Sequence, residues 1–297
     1  LPPPSATACP ACKGPVRGHG WKHDHELHQC VRCGTLSSVA ASAPAALYER
    51  YYDRAVFELP RPAAESLERL VRACAPFRVS GRWLDVGFGE GGLLETAARL
   101  GWSCFGSELS PRALEHGARR GFCVSARPEE DARFPCGGFD VVTMVEFLEH
   151  VADPDPFLAS AARWLRPGGL LFATTPNRRS LNCLLLGLRW SVISPPEHCV
   201  IWTAAGLRAA LGRAGFACRS VRAEGLNPAE ILAALRPRGS TAPVSRNEAG
   251  FALNAALSAT PRRRALKRAA NHVLSLLCCG DTLKVWAIRS EAPAAVA

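Results

Sequence analysis

Between residues 82 and 145 the chain alternates short apolar runs with stripes of helical period. Arg82 to Val86 (RWLDV) reads as a buried strand, Gly87 to Gly92 as a glycine-rich turn, Leu93 to Leu100 as a helix and Ser103 to Ser107 as a second strand. Pro111 to Arg120 then follows a helical period and Gly121 to Ser125 forms a third strand. Phe139 to Val145 (FDVVTMV) is continuous and apolar, as a strand covered on both faces requires. Strands and helices alternating at this spacing predict parallel βαβ units.

The pattern continues downstream. Asp155 and Pro156 open a helix stopped by Pro167-Gly168-Gly169, and Leu170 to Thr175 is strand five. Pro176 to Pro196 is Leu-rich, carries Arg178, Arg179, Arg189 and Trp190, and is too long for a simple connector, so it is expected to form part of a lid. Thr203 caps a helix ending at Gly215, and Phe216 to Ala223 is strand six. Upstream, Leu67, Leu70, Val71 and Cys74 form the stripe of a helix from Pro62 to Cys74. It follows a linker stretch that holds Tyr48, Tyr51 and Tyr52. Five segments result: 1–40, a linker with cap helices over 41–80, a core over 81–226, a helical insertion over 227–280, and a last strand with tail over 281–297.

Composition narrows the class. A chain of 297 residues, 48% hydrophobic, can bury a sizeable core. No run of about 18 uncharged apolar residues predicts a membrane span, and LPPPSATACP lacks the features of a signal peptide, so a cytoplasmic location is expected. The formal charge of +10 is uneven: residues 81–160 carry 7 basic and 13 acidic side chains, residues 161–297 carry 19 and 6. A basic second half suits an acidic acceptor, a lipid-linked glycan, an anionic membrane surface or RNA. The basic amphipathic stretch with Arg262, Arg263, Arg264, Lys267 and Arg268 could serve any of these, or be a packed lid helix with a solvated face.

The candidate chemistry begins at the glycine turn. Gly87, Gly89 and Gly91 can take positive φ and let a ligand lie against bare backbone, while the following helix offers unpaired N–H groups. Glu108, about 20 residues on and with Leu109 beside it, stands where such folds bind both ribose hydroxyls. Gly87, Gly89 and Gly92 also satisfy the dinucleotide pattern, so a NAD oxidoreductase is one reading. Asp85 argues against it: a carboxylate so close repels a pyrophosphate and attracts an amino-acid ammonium. The string LDVGFGEG resembles the first motif of the class I S-adenosylmethionine methyltransferases, with Phe88 where many members have a smaller residue.

A second signal lies at the N-terminus. Cys9-Pro10-Ala11-Cys12 and, 17 residues later, Cys30-Val31-Arg32-Cys33 present four thiolates, the closed shell of structural zinc. His19, His23, His25 and His28 between the pairs read as solvated loop histidines, any of which could replace a cysteine. A zinc ribbon ahead of such a core resembles bacterial methyltransferases of surface-polysaccharide and natural-product pathways. The resemblance implies an α/β, Rossmann-like, seven-stranded sheet, mostly parallel with a late antiparallel strand, preceded by a zinc ribbon and carrying a helical lid.

It also implies roles. Glu146 ends strand four, where open α/β sheets bind ligands, and EFLEHVADP resembles the fourth motif of the ubiquinone-pathway O-methyltransferases. Glu149 and His150 follow at the mouth, and His150 either acts on a hydroxyl or packs the turn. Glu130 stands where relatives contact the adenine, and His198 where they often place a histidine facing the acceptor, so His198 and His150 are the candidate bases. The implied reaction is methyl transfer from S-adenosylmethionine to a hydroxyl of a small-molecule or glycan acceptor, acidic or lipid-linked. An RNA base methyltransferase is the alternative, disfavoured because no NPPY or DPPY string follows strand four. A non-catalytic zinc scaffold is the other.

Overall fold

Seven strands build the main sheet of the computed structural model, which describes residues 8–38, 61–234 and 260–290. In chain order these strands are β4 (Arg82–Val86), β5 (Ser103–Ser107), β6 (Cys123–Ser125), β7 (Phe139–Val145), β8 (Leu165–Pro176), β10 (Phe216–Glu224) and β11 (Thr282–Arg289). Their spatial order is β10-β11-β8-β7-β4-β5-β6. Pairings from β6 through β8 are parallel, and β11 runs antiparallel to both β8 and β10. The Rossmann-like, seven-stranded α/β fold that the resemblance implies is the fold observed. The tyrosine stretch, residues 235–259 and the tail after residue 290 lie outside the described residues.

Helices α1 (Arg61–Cys74), α2 (Gly92–Arg99), α3 (Pro111–Arg119), α4 (Asp155–Trp164), α5 (Leu181–Leu186), α6 (Ala204–Arg213), α7 (Pro228–Ala234) and α8 (Pro261–Leu276) complete the chain. Ser110, Ser180 and Thr203 cap α3, α5 and α6, each accepting a backbone N–H through its hydroxyl. On one face of the sheet Trp83, Leu94, Ala97, Trp102 and Val141 pack together; on the other lie Val142, Met144, Leu158, Trp164 and Leu211. No described helix is long and apolar enough to cross a membrane.

One boundary differs from the pattern. The helix ends at Trp164 and β8 starts at Leu165, so Pro167-Gly168-Gly169 sits inside the strand as an irregularity between the pairs Phe139–Leu165 and Val141–Leu170. The excursion lets Arg166 reach the buried Asp140, Nε to Oδ1 2.8 Å, while Asp140 also accepts the N–H groups of Val79 and Gly81.

The N-terminal strands β1 (Val16–Lys22), β2 (His25–Cys30) and β3 (Leu36–Ser38) form an antiparallel sheet whose fourth member is β9 (Val200–Ile201). The cysteine-bearing segment is thus joined to the core by strand pairing. Apolar packing adds to it, with Leu27 and Leu36 clustered on Cys183, Leu186, Trp190, Ile193 and Ile201.

Candidate functional site

The glycine turn leaves β4 with three residues in the left-handed region, Gly87, Gly89 and Gly91 at φ 72°, 56° and 78°. Gly91 is the N-cap of α2 and has no side chain to satisfy the free N–H groups. Glu108 follows β5, and its carboxylate is pinned by three backbone donors: Gly89 N at 3.1 Å, Leu109 N at 2.7 Å and Ser110 N at 3.3 Å. Leu109 itself is exposed.

Asp85, in the last turn of β4 before the glycines, is only 3% exposed. Thr143 Oγ1 donates to it at 2.6 Å and in turn accepts Trp83 Nε1 at 3.0 Å. Burial, with Glu108 adding to it, pushes the Asp85 carboxyl up to about 7. A buried acid in that state, whose hydrogen-bond partner among the described residues is a hydroxyl, is suited to a cationic group, which would restore its charge. The turn, the free N–H groups and the two carboxylates therefore fit an amino-acid nucleoside. Glu130 is exposed and in an ion pair with Arg127 at 3.4 Å.

At the end of β7 the backbone turns sharply: Glu146 has φ 50°, uncommon for a side-chain-bearing residue. Its N–H and its Oε1 both engage Thr174, the Oε1 at 2.7 Å. Glu149, expected at the mouth, is instead buried, its Oε2 accepting Thr175 Oγ1 at 3.0 Å. Burial first, and the neighbouring Glu146 second, raise its carboxyl well above the usual range. His150 Nδ1 lies 2.9 Å from the Glu197 carbonyl and His198 Nδ1 2.6 Å from that of Val192, so each Nδ1 carries the proton and each Nε2 is an acceptor. The two rings meet edge to face at 4.8 Å, and burial lowers the His198 pKa. Glu149, His150 and His198 bring ligating atoms within 4.8 Å of one another, close enough to surround one acceptor hydroxyl or one cation.

The structure thus gathers Asp85, the glycines and Glu108 into one cradle, and His150 with His198 into one cluster. The sequence reading gave no role to Thr143, Thr174 and Thr175, and placed Glu149 at the mouth of the site. A hydroxyl among the apolar residues of β7 was the available signal for Thr143.

The four cysteines also converge, with Sγ separations of 3.7 Å for Cys9–Cys33 and 3.4 Å for Cys12–Cys30. A tetrahedral zinc shell needs about 3.8 Å between sulfurs, close to this arrangement. The N–H groups of Arg32 and Cys33 each point at Cys30 Sγ from 3.4 Å, the support a thiolate uses. Hydrogen bonding with Cys9 holds Cys33 down to about 4 and pushes Cys9 up, so the pair contends for one proton. The donor set fits zinc.

A family model described as a methyltransferase domain matches residues 52–221, more than half of the chain. The ubiquinone biosynthesis O-methyltransferase of Caulobacter vibrioides is 39% identical over 129 residues, covering 39% of this chain and 50% of that protein. Its namesake from Xanthomonas oryzae is 39% identical over 142 residues, covering 45% and 59%. The chain spans about half the length of the curated relatives it matches. Among solved structures, the 4+2 cyclase SpnF aligns with TM-score 0.51 and 20% identity over 85% of this chain and 99% of its own. A putative sarcosine dimethylglycine methyltransferase from Galdieria sulphuraria aligns with 0.51 and 14% over 83% and 98%. These two likenesses show the fold alone. On the family match, laid over a core of the expected topology, the chain belongs to the methyltransferase domain family.

Proposed function

We propose that the chain is an S-adenosylmethionine-dependent methyltransferase that acts on a hydroxyl of a small-molecule or glycan-type acceptor, with a structural zinc ion held by Cys9, Cys12, Cys30 and Cys33. The observation that carries the reading is the pairing of a buried Asp85 with a backbone-pinned Glu108 around the bare glycine turn. The named activity of the curated relatives, O-methylation in ubiquinone biosynthesis, supports a hydroxyl acceptor.

When bound, S-adenosylmethionine supplies a methyl group already activated on a sulfonium. The chain's own residues have to bind, align and exclude water. Asp85 provides negative charge for the ammonium, and Glu108, held rigid by its three N–H donors, accepts from the ribose hydroxyls. His198 or His150, oriented by the bond from Nδ1 to a backbone carbonyl, takes the proton of the acceptor hydroxyl through Nε2. Burial raises the Glu149 carboxyl well above the usual range, which favours its uncharged form beside the two imidazoles. Leu109 and Glu130 complete the rim of the cofactor site, and Glu146 the floor between the two clusters.

Calorimetry with S-adenosylhomocysteine tests this. Binding is expected to release a proton near pH 7, because an ammonium beside Asp85 lowers a carboxyl raised to about 7, so affinity rises from pH 6 to pH 8. Asp85→Asn should weaken binding at pH 8 by at least about tenfold and abolish the pH dependence. Equal affinity in the variant, or no heat with the wild type, would remove the cofactor assignment.

A further inference from the structure

The cysteine knuckle lies far from the glycine turn in sequence, yet a short relay of hydrogen bonds ties it to the polar cluster. Thr203 Oγ1 donates to the Cys33 carbonyl at 2.7 Å while accepting the Gly206 N–H at 3.1 Å, so one hydroxyl joins a metal-site residue to the first turn of α6. Thr35 Oγ1 lies 3.3 Å from both Thr203 Oγ1 and Cys33 Sγ. The fit leaves no room for a side chain at Gly206, where a Cβ would collide with Thr35 Oγ1 and stand 3.0 Å from Ala11 Cβ and 3.3 Å from Cys33 Sγ.

From this joint the chain passes straight to the candidate site. Strand β3 pairs with β9, Leu36 opposite Ile201 and Ser37 opposite Val200. Ser38 N donates to the Cys199 carbonyl at 2.9 Å, and Cys199 N donates to the Glu149 carbonyl at 2.7 Å. Cys199 is therefore clamped between the N-terminal sheet and the turn that carries Glu149 and His150, and it is the residue next to His198. Trp202, fully buried, adds a bond from Nε1 to the Leu148 carbonyl at 3.1 Å.

We propose that the cysteine knuckle, acting through Thr203 and the β3–β9 pairing, positions the His198, His150 and Glu149 cluster. The physical reason is the nature of the links. Apart from those of Thr35, Thr203 and Trp202, they are backbone to backbone, with no long side chain to absorb a shift, so the placement of Cys33 is passed on to His198. The cofactor cradle at β4 and β5 lies outside the relay, and its hydrogen bonds share no residue with it. The inference rests on the reading of that cluster as the acceptor end of a methyl-transfer site. Thr203 and Cys199 are positioning residues in it and touch no reacting group.

The test compares the zinc-loaded full chain with Thr203→Val, which keeps shape and loses the hydroxyl, and Thr203→Ser, which restores it. Zinc content, S-adenosylhomocysteine affinity, backbone amide exchange and the imidazole nitrogen resonances are read in all three. In Thr203→Val the expected result is one zinc per chain, cofactor affinity within about twofold, amide exchange at residues 199–201 faster by about fivefold or more, and shifted His150 and His198 signals. Thr203→Ser should return both readouts to wild type. Unchanged exchange and unchanged imidazole signals in the valine variant would overturn the proposal, as would changes that serine fails to reverse or that spread equally to β4 and β7.

Should the valine variant not fold, zinc withdrawal from the wild type by a chelator gives the same reading. Protection must then be lost at 199–201 while β4 and β7 keep theirs, and uniform loss or no loss overturns the proposal. A wild type that binds no S-adenosylhomocysteine counts against the methyltransferase reading and leaves the relay to be judged by exchange alone.

Discussion

Phe88 occupies the space that Gly106 and Gly117 leave empty. It is the departure from the smaller residue usual at that place in the motif, and its ring lies 5% exposed beneath the glycine turn. A Cβ on Gly106 would stand 2.5 Å from Phe88 Cδ1 and 3.0 Å from Leu94 Cδ1, and one on Gly117 would stand 3.2 Å from Phe88 Cζ. Gly106 has an ordinary strand conformation, so its need for glycine comes from the neighbour and not from its own backbone. Gly106→Ala is accordingly expected to destabilise the protein by about 1–3 kcal/mol in chemical denaturation, as overpacking does. Combined with Phe88→Leu, its cost should fall clearly below the sum of the two single changes. Strict additivity would show that the ring and the glycine are independent. The sequence announced Phe88 as unusual, but no periodicity could say which residues make room for it, since contacts across strands have no local signature.

The elements themselves were largely legible. Strands β4 and β7 lie where their apolar runs do, because a parallel strand buried on both faces needs such a run whatever surrounds it, and the half-buried β5 also keeps its expected bounds. Two features were not legible. Strand β9 has only two residues, too few for any pattern, and exists because β3 needs a partner. The turn over Leu148–His150 reads as polar, yet it folds inward and buries Glu149 against Thr175. That burial has a consequence for stability. Burial raises the folded Glu149 carboxyl well above the usual carboxylate range, so the native state keeps a proton the unfolded chain releases. This group's contribution to stability therefore declines as pH rises from about 5 toward the folded pKa. Glu149→Gln, which keeps a neutral partner for Thr175, should melt progressively higher relative to wild type between pH 5 and pH 9. Parallel melting curves across that range would show that Glu149 is ionised in the native state.

At the scale of the molecule, the N-terminal sheet takes β9 as its fourth strand, shares an apolar cluster with the main sheet and is braced at the surface. Asp155 accepts Lys13 at 2.8 Å and Arg213 at 2.7 Å, and Arg213 also reaches the Ala11 carbonyl at 2.6 Å. Zinc-loaded protein is expected to unfold in one calorimetric transition with matching calorimetric and van 't Hoff enthalpies. An early, separate transition of the N-terminal sheet would show that it is an independent module. The position of β11 sets a schedule for synthesis. It is the last described strand in sequence but stands between β8 and β10, so residues 170–176 have no partner on one side until residues 282–288 have left the ribosome. For that interval the nascent chain carries a bare apolar edge, open to pairing with another copy, and slow translation of the intervening stretch would lengthen the exposure.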